Sequence, residues 1–208
     1  TALSLIIEQF VVFIEFLSVE TKEILLELFT EILKYEPNLN QITTVNDVTY
    51  IRQIMQVFYQ RENFYKNAYN NNDAWRREYQ NFLDPMMSDE DVKNFIRKQE
   101  KMVNDPNFIK KMNKIFLDNR IYYLKLLDLL LKTGADVNIK QQFGISDLMF
   151  STELGDLELF KLLAKYNPNI ETMTDKGKNL FTNAMDYGNY DLAFYLLKEY
   201  PYFRKNID

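Results

Sequence analysis

The sequence predicts an all-α fold of stacked antiparallel helix pairs, with a divergent, helical N-terminal half. Three observations carry that expectation. Residues recur 33 apart: Gly144 and Gly177, Gly155 and Gly188, Leu148 and Phe181, Leu159 and Leu192, Leu163 and Leu196. A fixed period of this size marks units that bury apolar faces on one another and leave a long open surface. Leu148, Leu159, Leu162 and Leu163 fall at helical spacing within those units. The 208 residues include only 5 Gly and 5 Pro, too few for an all-β fold with many turns.

The elements follow in order. Leu3–Leu17 is the most apolar run, but its apolar span falls short of the ~20 residues a bilayer crossing needs, and Glu8 and Glu15 interrupt it. It has neither a basic leader nor a small-residue cleavage site, so it reads as a core helix capping the stack, not a signal peptide. Leu26–Asn40 can be laid on Leu157–Glu171 without a gap, with eight of fifteen positions identical. Residues 20–40 therefore read as a divergent repeat. The offset of 131 is close to four periods (4 × 33 = 132), which leaves room for roughly three further units between.

The middle, Ile42 to Asn104, shows no clear period. A helix is expected from Asp47 to about Tyr69, with Ile51, Ile54, Met55, Phe58 and Tyr59 at core spacing. Asn70 to Asp73 breaks it. A helix from Ala74 to Leu83 stops at Pro85, and Ser88 caps another that runs to Val103, with Asp89, Glu90 and Asp91 in its first turn. This stretch reads either as degenerate repeats with lengthened helices or as a helical insertion. The chain divides into a helical segment, 1–108, and a regular repeat segment, 109–208.

In the second half Gly134 follows a Leu-rich run, where a left-handed cap is needed and glycine supplies it without strain. Gly155 and Gly188 fall between short helical runs, and Ser146 is placed to cap the first of them. Leu126, Leu130, Leu148, Leu159, Leu163, Leu192 and Leu196 are expected in the core.

From Ile109 to Tyr202 the chain resembles ankyrin repeats. Gly134-Ala135-Asp136-Val137-Asn138 is similar to the family's Gly-Ala-Asp-Val-Asn ending. Gly144-Ile145-Ser146-Asp147-Leu148-Met149 stands where the family has Gly-x-Thr-Pro-Leu-His, and Gly155-Asp156-Leu157-Glu158-Leu159 where it has Gly-His-Leu-Glu-Ile. Asp147 replaces the proline and Met149 the histidine. The resemblance implies a scaffold that binds a protein partner through its concave surface.

Composition excludes several chemistries. There is no His and no Cys, which removes the commonest general base, the thiol nucleophile, zinc sites and disulfides. No glycine-rich phosphate loop is present. Carboxylate pairs such as Glu153/Asp156 and Asp84/Asp89 are ordinary for a soluble surface. No catalytic residue, metal site or cofactor is expected. A hydrolase using carboxylates would need a deep acidic cleft, which an open stack does not usually provide.

Charge is uneven. Residues 1–47 carry two basic and eight acidic side chains (2 − 8 = −6), and residues 93–114 carry seven basic and two acidic ones (7 − 2 = +5), within a chain of net −5. Lys93, Arg97, Lys98, Lys101, Lys110, Lys111 and Lys114 read first as a solvated face. Arg76 and Arg77 beside Trp75 and Tyr79 suit base stacking, but an acidic chain without a strong basic face disfavours nucleic acid.

The positions free to vary in such stacks lie around the turn glycine and at the end of the first helix. Here they are Lys140, Gln142, Phe143, Ile145, Glu153 and Leu154, then Met173, Asp175, Lys176, Lys178, Asp186 and Tyr187. Phe143, Met173 and Tyr187 are the best anchors, since aromatic and thioether side chains concentrate binding energy. The competing reading is that Phe143 and Leu154 pack between units. Two function classes stay open: a binding adaptor or inhibitor, and the regulatory or targeting arm of a larger protein, which a chain starting at Thr1 allows. The expected location is cytoplasmic or, after delivery, a host cytosol.

Overall fold

The computed structural model describes residues 3, 7, 10, 14, 17–35, 38–40, 48–70, 90 and 105–205. Among them the helices are α1 (Val19–Leu33), α2 (Tyr50–Asn70), α3 (Pro106–Lys132), α4 (Asp147–Leu154), α5 (Leu157–Leu163), α6 (Leu180–Asp186), α7 (Tyr190–Glu199) and α8 (Pro201–Lys205), with a short 3-10 turn at Gln142–Gly144. No strand occurs among the described residues; one isolated bridge joins Met173 and Asn179. The fold is all-α, as expected. Two compact units are present: Thr1–Gln56 together with Tyr122–Asp208, and Val57–Ile121.

The first unit is built from helix pairs. Local side-chain caps start three of these helices, and a left-handed glycine ends the first of them. The Ser146 hydroxyl accepts from the Met149 amide at the start of α4, and Gly155 ends it at φ 72. Asp156 caps α5 by accepting from the Glu158 and Leu159 amides, and Asn179 and Thr182 form a reciprocal capping box on α6. Within each pair the helices pack, α4 on α5 and α6 on α7, and α4 also packs on α6 of the next pair. All seven leucines expected in the core are buried. Of the expected Leu3–Leu17 helix only Leu3, Ile7, Phe10, Ile14 and Leu17 are described; the first three are helical, and the first four are buried.

The Leu26–Asn40 echo extends to backbone detail. The Lys34 and Tyr35 amides donate to the Glu31 and Ile32 carbonyls, as Lys165 and Tyr166 donate to Leu162 and Leu163. The following loop is reproduced three times. Asn38, Asp136 and Asn169 each accept the amide two residues on, from Asn40, Asn138 and Glu171 at 2.9–3.1 Å. Side chains then link one loop to the next. Asn138 accepts from the Asn169 amide (2.6 Å) and donates to the Asn167 carbonyl (3.1 Å). Asn40 accepts from the Asp136 amide (2.8 Å) and donates to the Gly134 carbonyl (3.4 Å) in the same pattern. The loops at 38–40 and 134–138 are therefore stacked neighbours. Among the described residues one loop, 134–138, thus links 38–40 to 167–169, in place of the roughly three further units that the 131-residue offset suggested between Leu26–Asn40 and Leu157–Glu171. Glu23 pairs with Lys125 at 2.7 Å and Lys22 lies over the Tyr122 ring, tying α1 to the 122–132 part of α3.

The departure from the family pattern at Asp147 has a partner 95 residues away. Arg52 donates from Nε to the fully buried Asp147 carboxylate at 2.9 Å. The Thr49 hydroxyl (2.6 Å) and the Gln141 amide nitrogen (2.8 Å) complete the cage. Arg52 also reaches the Ile145 and Ser146 carbonyls and stacks 4.1 Å over the Phe150 ring. Burial pushes the Asp147 carboxyl above the ordinary aspartate range, against the opposing pull of Arg52 and the Thr49, Arg52 and Gln141 hydrogen bonds.

The second unit holds the later part of α2 and the earlier part of α3. α2 begins three residues later than expected, because Thr49 is its cap: its hydroxyl accepts from the Arg52 amide. Ile51, Ile54, Met55 and Phe58 are buried, as their spacing predicts, and Tyr59 is half-buried. The expected helices Ala74–Leu83 and Ser88–Val103, with Trp75, Arg76, Arg77 and Tyr79 and the Asp84/Asp89 pair, lie outside the described residues apart from Glu90, which is helical. So do Lys93, Arg97, Lys98 and Lys101, whereas Lys110, Lys111 and Lys114 are exposed on α3.

Candidate partner-binding surface

Two turns of the same design present the expected surface residues. In the first, the Gln141 amide donates to the Ile145 carbonyl (3.1 Å); 33 residues on, the Thr174 amide donates to the Lys178 carbonyl (2.9 Å). The turns are bonded to each other. The Asp175 amide donates to the Phe143 carbonyl at 3.0 Å, and the Lys140 ammonium donates to the Met173 carbonyl at 2.8 Å. Gly144 lies so close to Asp175 that an added Cβ would overlap its backbone nitrogen. Glycine is therefore required there by packing as well as by its φ of 70.

Phe143 sits at the tip in a left-handed conformation, φ 61, which an aromatic residue rarely adopts. The carbonyl bond from Asp175 holds it there with its ring 68% exposed. Met173 is 41% and Tyr187 56% exposed. Lys140, Gln142, Asp175, Lys176 and Asp186 are exposed too, and Ile145, Glu153, Leu154 and Lys178 are half-buried. The packing reading thus fails for Phe143, while Leu154 is partly covered.

The first-helix ends form a second, bonded group. Burial raises the Glu153 carboxyl above its ordinary value, against the pull of the neighbouring Asn183, Arg52, Tyr187 and Lys178, while the buried Asn183 donates to the Thr152 hydroxyl at 3.0 Å. The charge of Glu153, with burial, pushes the Tyr187 hydroxyl up in turn. Lys178 pairs with Asp186 at 2.5 Å, which raises the lysine above its ordinary value. Beneath them Asn189 donates to the Thr152 and Glu153 carbonyls, both at 2.8 Å, and so satisfies the end of α4 from the next pair. The arrangement is a polar, internally bonded surface studded with Phe143, Met173 and Tyr187. Among the described residues no group of three or more acidic side chains is placed to hold a metal ion, and no helix is long and apolar enough to cross a membrane.

Sequence reasoning missed Tyr190 and Phe194, which are exposed on α7 four residues apart. The signal was present, since the equivalent positions one period earlier are Leu157 and Lys161. It also missed the Arg52–Asp147 joint, for which the lost proline was the sole trace.

Against known proteins, a family model described as ankyrin repeats, three copies, matches residues 119–207. An ankyrin repeat protein of Acanthamoeba polyphaga mimivirus is 30% identical over 81 residues, which is 39% of this chain and 20% of the relative. The matched region is thus about a fifth of that relative's length.

Proposed function

We propose, on the premise that residues 119–207 are ankyrin repeats, that this chain is a non-enzymatic scaffold that binds a protein partner through its turn tips and first-helix ends. Ankyrin repeats generally mediate protein–protein interaction. The observation that carries the site is Phe143: an exposed ring held at positive φ by a hydrogen bond from the neighbouring turn. Such preorganisation lowers the ordering cost of binding. Met173 and Tyr187 supply further anchors, and Lys140, Gln142, Ile145, Glu153, Leu154, Asp175, Lys176, Lys178 and Asp186 complete the surface. The partner is a folded protein or an exposed segment of one; neither nucleic acid nor a cofactor enters this reading.

The test compares immobilised wild type with the Phe143→Ala/Tyr187→Ala double variant in quantitative capture from the source cell and any host it infects. A partner that is captured by wild type should be depleted at least about tenfold by the double variant, with an unchanged melting curve, as expected when two anchors at 1–2 kcal/mol each are lost. Equal capture by the two proteins refutes the site.

A further inference from the structure

We infer that residues 57–121 are an insertion within the helix–helix turn of the second of four consecutive repeats, and that the four-repeat stack folds without them. The inference goes beyond the binding proposal and does not depend on it.

The register is set by the loops. Asn40 and Asn138 make the same pair of bonds to the following loop, so they are equivalent positions in adjacent repeats. Glu171, which receives the same local turn, is the next such position. From Asn138 to Glu171 is 33 residues; from Asn40 to Asn138 is 98, an excess of 65 (98 − 33). One excess residue lies before the first helix, since its cap Thr49 is 9 residues past Asn40, whereas the caps Ser146 and Asn179 are each 8 past Asn138 and Glu171. The other 64 lie within the helix pair. The separate compact unit, Val57–Ile121, contains 65 residues (121 − 57 + 1), so it accounts for the excess to within one residue.

The point of insertion agrees. In the third repeat the first helix gives way to the second at Gly155, and one period earlier that position is Tyr122, where the chain returns to the repeat unit (155 − 33 = 122). By the cap register, which matches Thr49 to Ser146, Leu154 corresponds to Val57 (154 − 97 = 57), one residue past Gln56, where the chain leaves the repeat unit. What remains of the second repeat is fully engaged. Thr49 and Arg52 hold Asp147 of the third repeat, and Lys125 holds Glu23 of the first. We place the divisions at 56/57 and 121/122, where the compact unit begins and ends within α2 and α3, in place of the one expected after residue 108. Insertions are tolerated where a turn's two ends already lie close together.

The experiment replaces 57–121 by a two-residue Gly-Asn turn joining Gln56 to Tyr122. Circular dichroism and hydrogen exchange are then compared with the full chain. The shortened protein should melt in one cooperative transition, with amide protection over 126–196 within about threefold of the full chain. Should the shortened chain fail to fold, native-state exchange on the intact protein decides. Amides of 57–70 and 106–121 that open at lower denaturant than those of 126–196 uphold the insertion. A single shared opening for both segments overturns it.

Discussion

Replacing Arg52 by Met removes the counter-charge of Asp147 while keeping the length of the side chain. The carboxylate stays fully buried, with Thr49 and Gln141 as its remaining donors. Breaking a buried pair by deleting one partner costs about 3–5 kcal/mol, because the survivor stays desolvated. Losing the bonds to the Ile145 and Ser146 carbonyls puts the value toward the upper end. For a chain of this size that is a fall in Tm of roughly 6–20 °C. Urea unfolding followed by circular dichroism measures it. The double variant Arg52→Met/Asp147→Leu should recover most of the loss, since an apolar pair needs no desolvation. The pH dependence has a definite sign. A carboxyl whose folded pKa is raised binds protons more readily in the native state, so its burden on stability is lifted as pH falls through that raised value. Without Arg52 the rise is larger, and the penalty of Arg52→Met should shrink as pH falls from 7 toward 4. A penalty below about 1 kcal/mol at pH 7, or one that grows on acidification, would refute the role given to this pair.

Three other perturbations follow from the same geometry. Leu159→Ala should cost about 2–5 kcal/mol in chemical denaturation, as a cavity at a site only 2% exposed. Asn138→Ala and Asn40→Ala should each cost about 0.5–1.5 kcal/mol, since each removes two exposed hydrogen bonds to the next loop; a measurable cost at Asn138 alone would separate the first loop from the series. Tyr166 donates to Asp128 at 2.5 Å, and burial together with that carboxylate pushes its hydroxyl up to about 12. Its stabilising effect relative to Tyr166→Phe should therefore be full below pH 10 and disappear as pH rises through 12, a trend that paired thermal melts would reveal.

How much was legible in the sequence depended on distance along the chain. Ser146, Gly155 and the leucines of α4 to α7 act through neighbours a few residues away or one period away, so spacing alone exposed them. The Leu26–Asn40 echo was visible because its helix end and loop are set locally by Tyr35, Asn38 and Asn40. Its place in the stack was not, because the offset of 131 combines one ordinary repeat with one enlarged repeat (33 + 98). A period search assumes equal units and so overcounted them. The Arg52–Asp147 joint was illegible for a related reason: a pair 95 residues apart leaves no periodic trace. At the surface, positions were readable from turn spacing, but the left-handed backbone of Phe143 was not, since no sequence rule assigns an aromatic residue there.

The asparagine links between loops have an evolutionary consequence. Both bonds of Asn138 to the next loop end on main-chain atoms, and so do both bonds of Asn40 to its next loop. A joint that grips only the backbone leaves side chains free to change wherever the loop keeps its shape, here set by the positive φ of Gly134 and Asn167 and the turns at Asp136 and Asn169. The gripped positions illustrate this: Gly134 and Asp136 in one loop, Asn167 and Asn169 in the next. Neighbouring repeats can therefore drift in sequence, and their displayed residues can be reselected for a new target, without any compensating change in the link that holds them together.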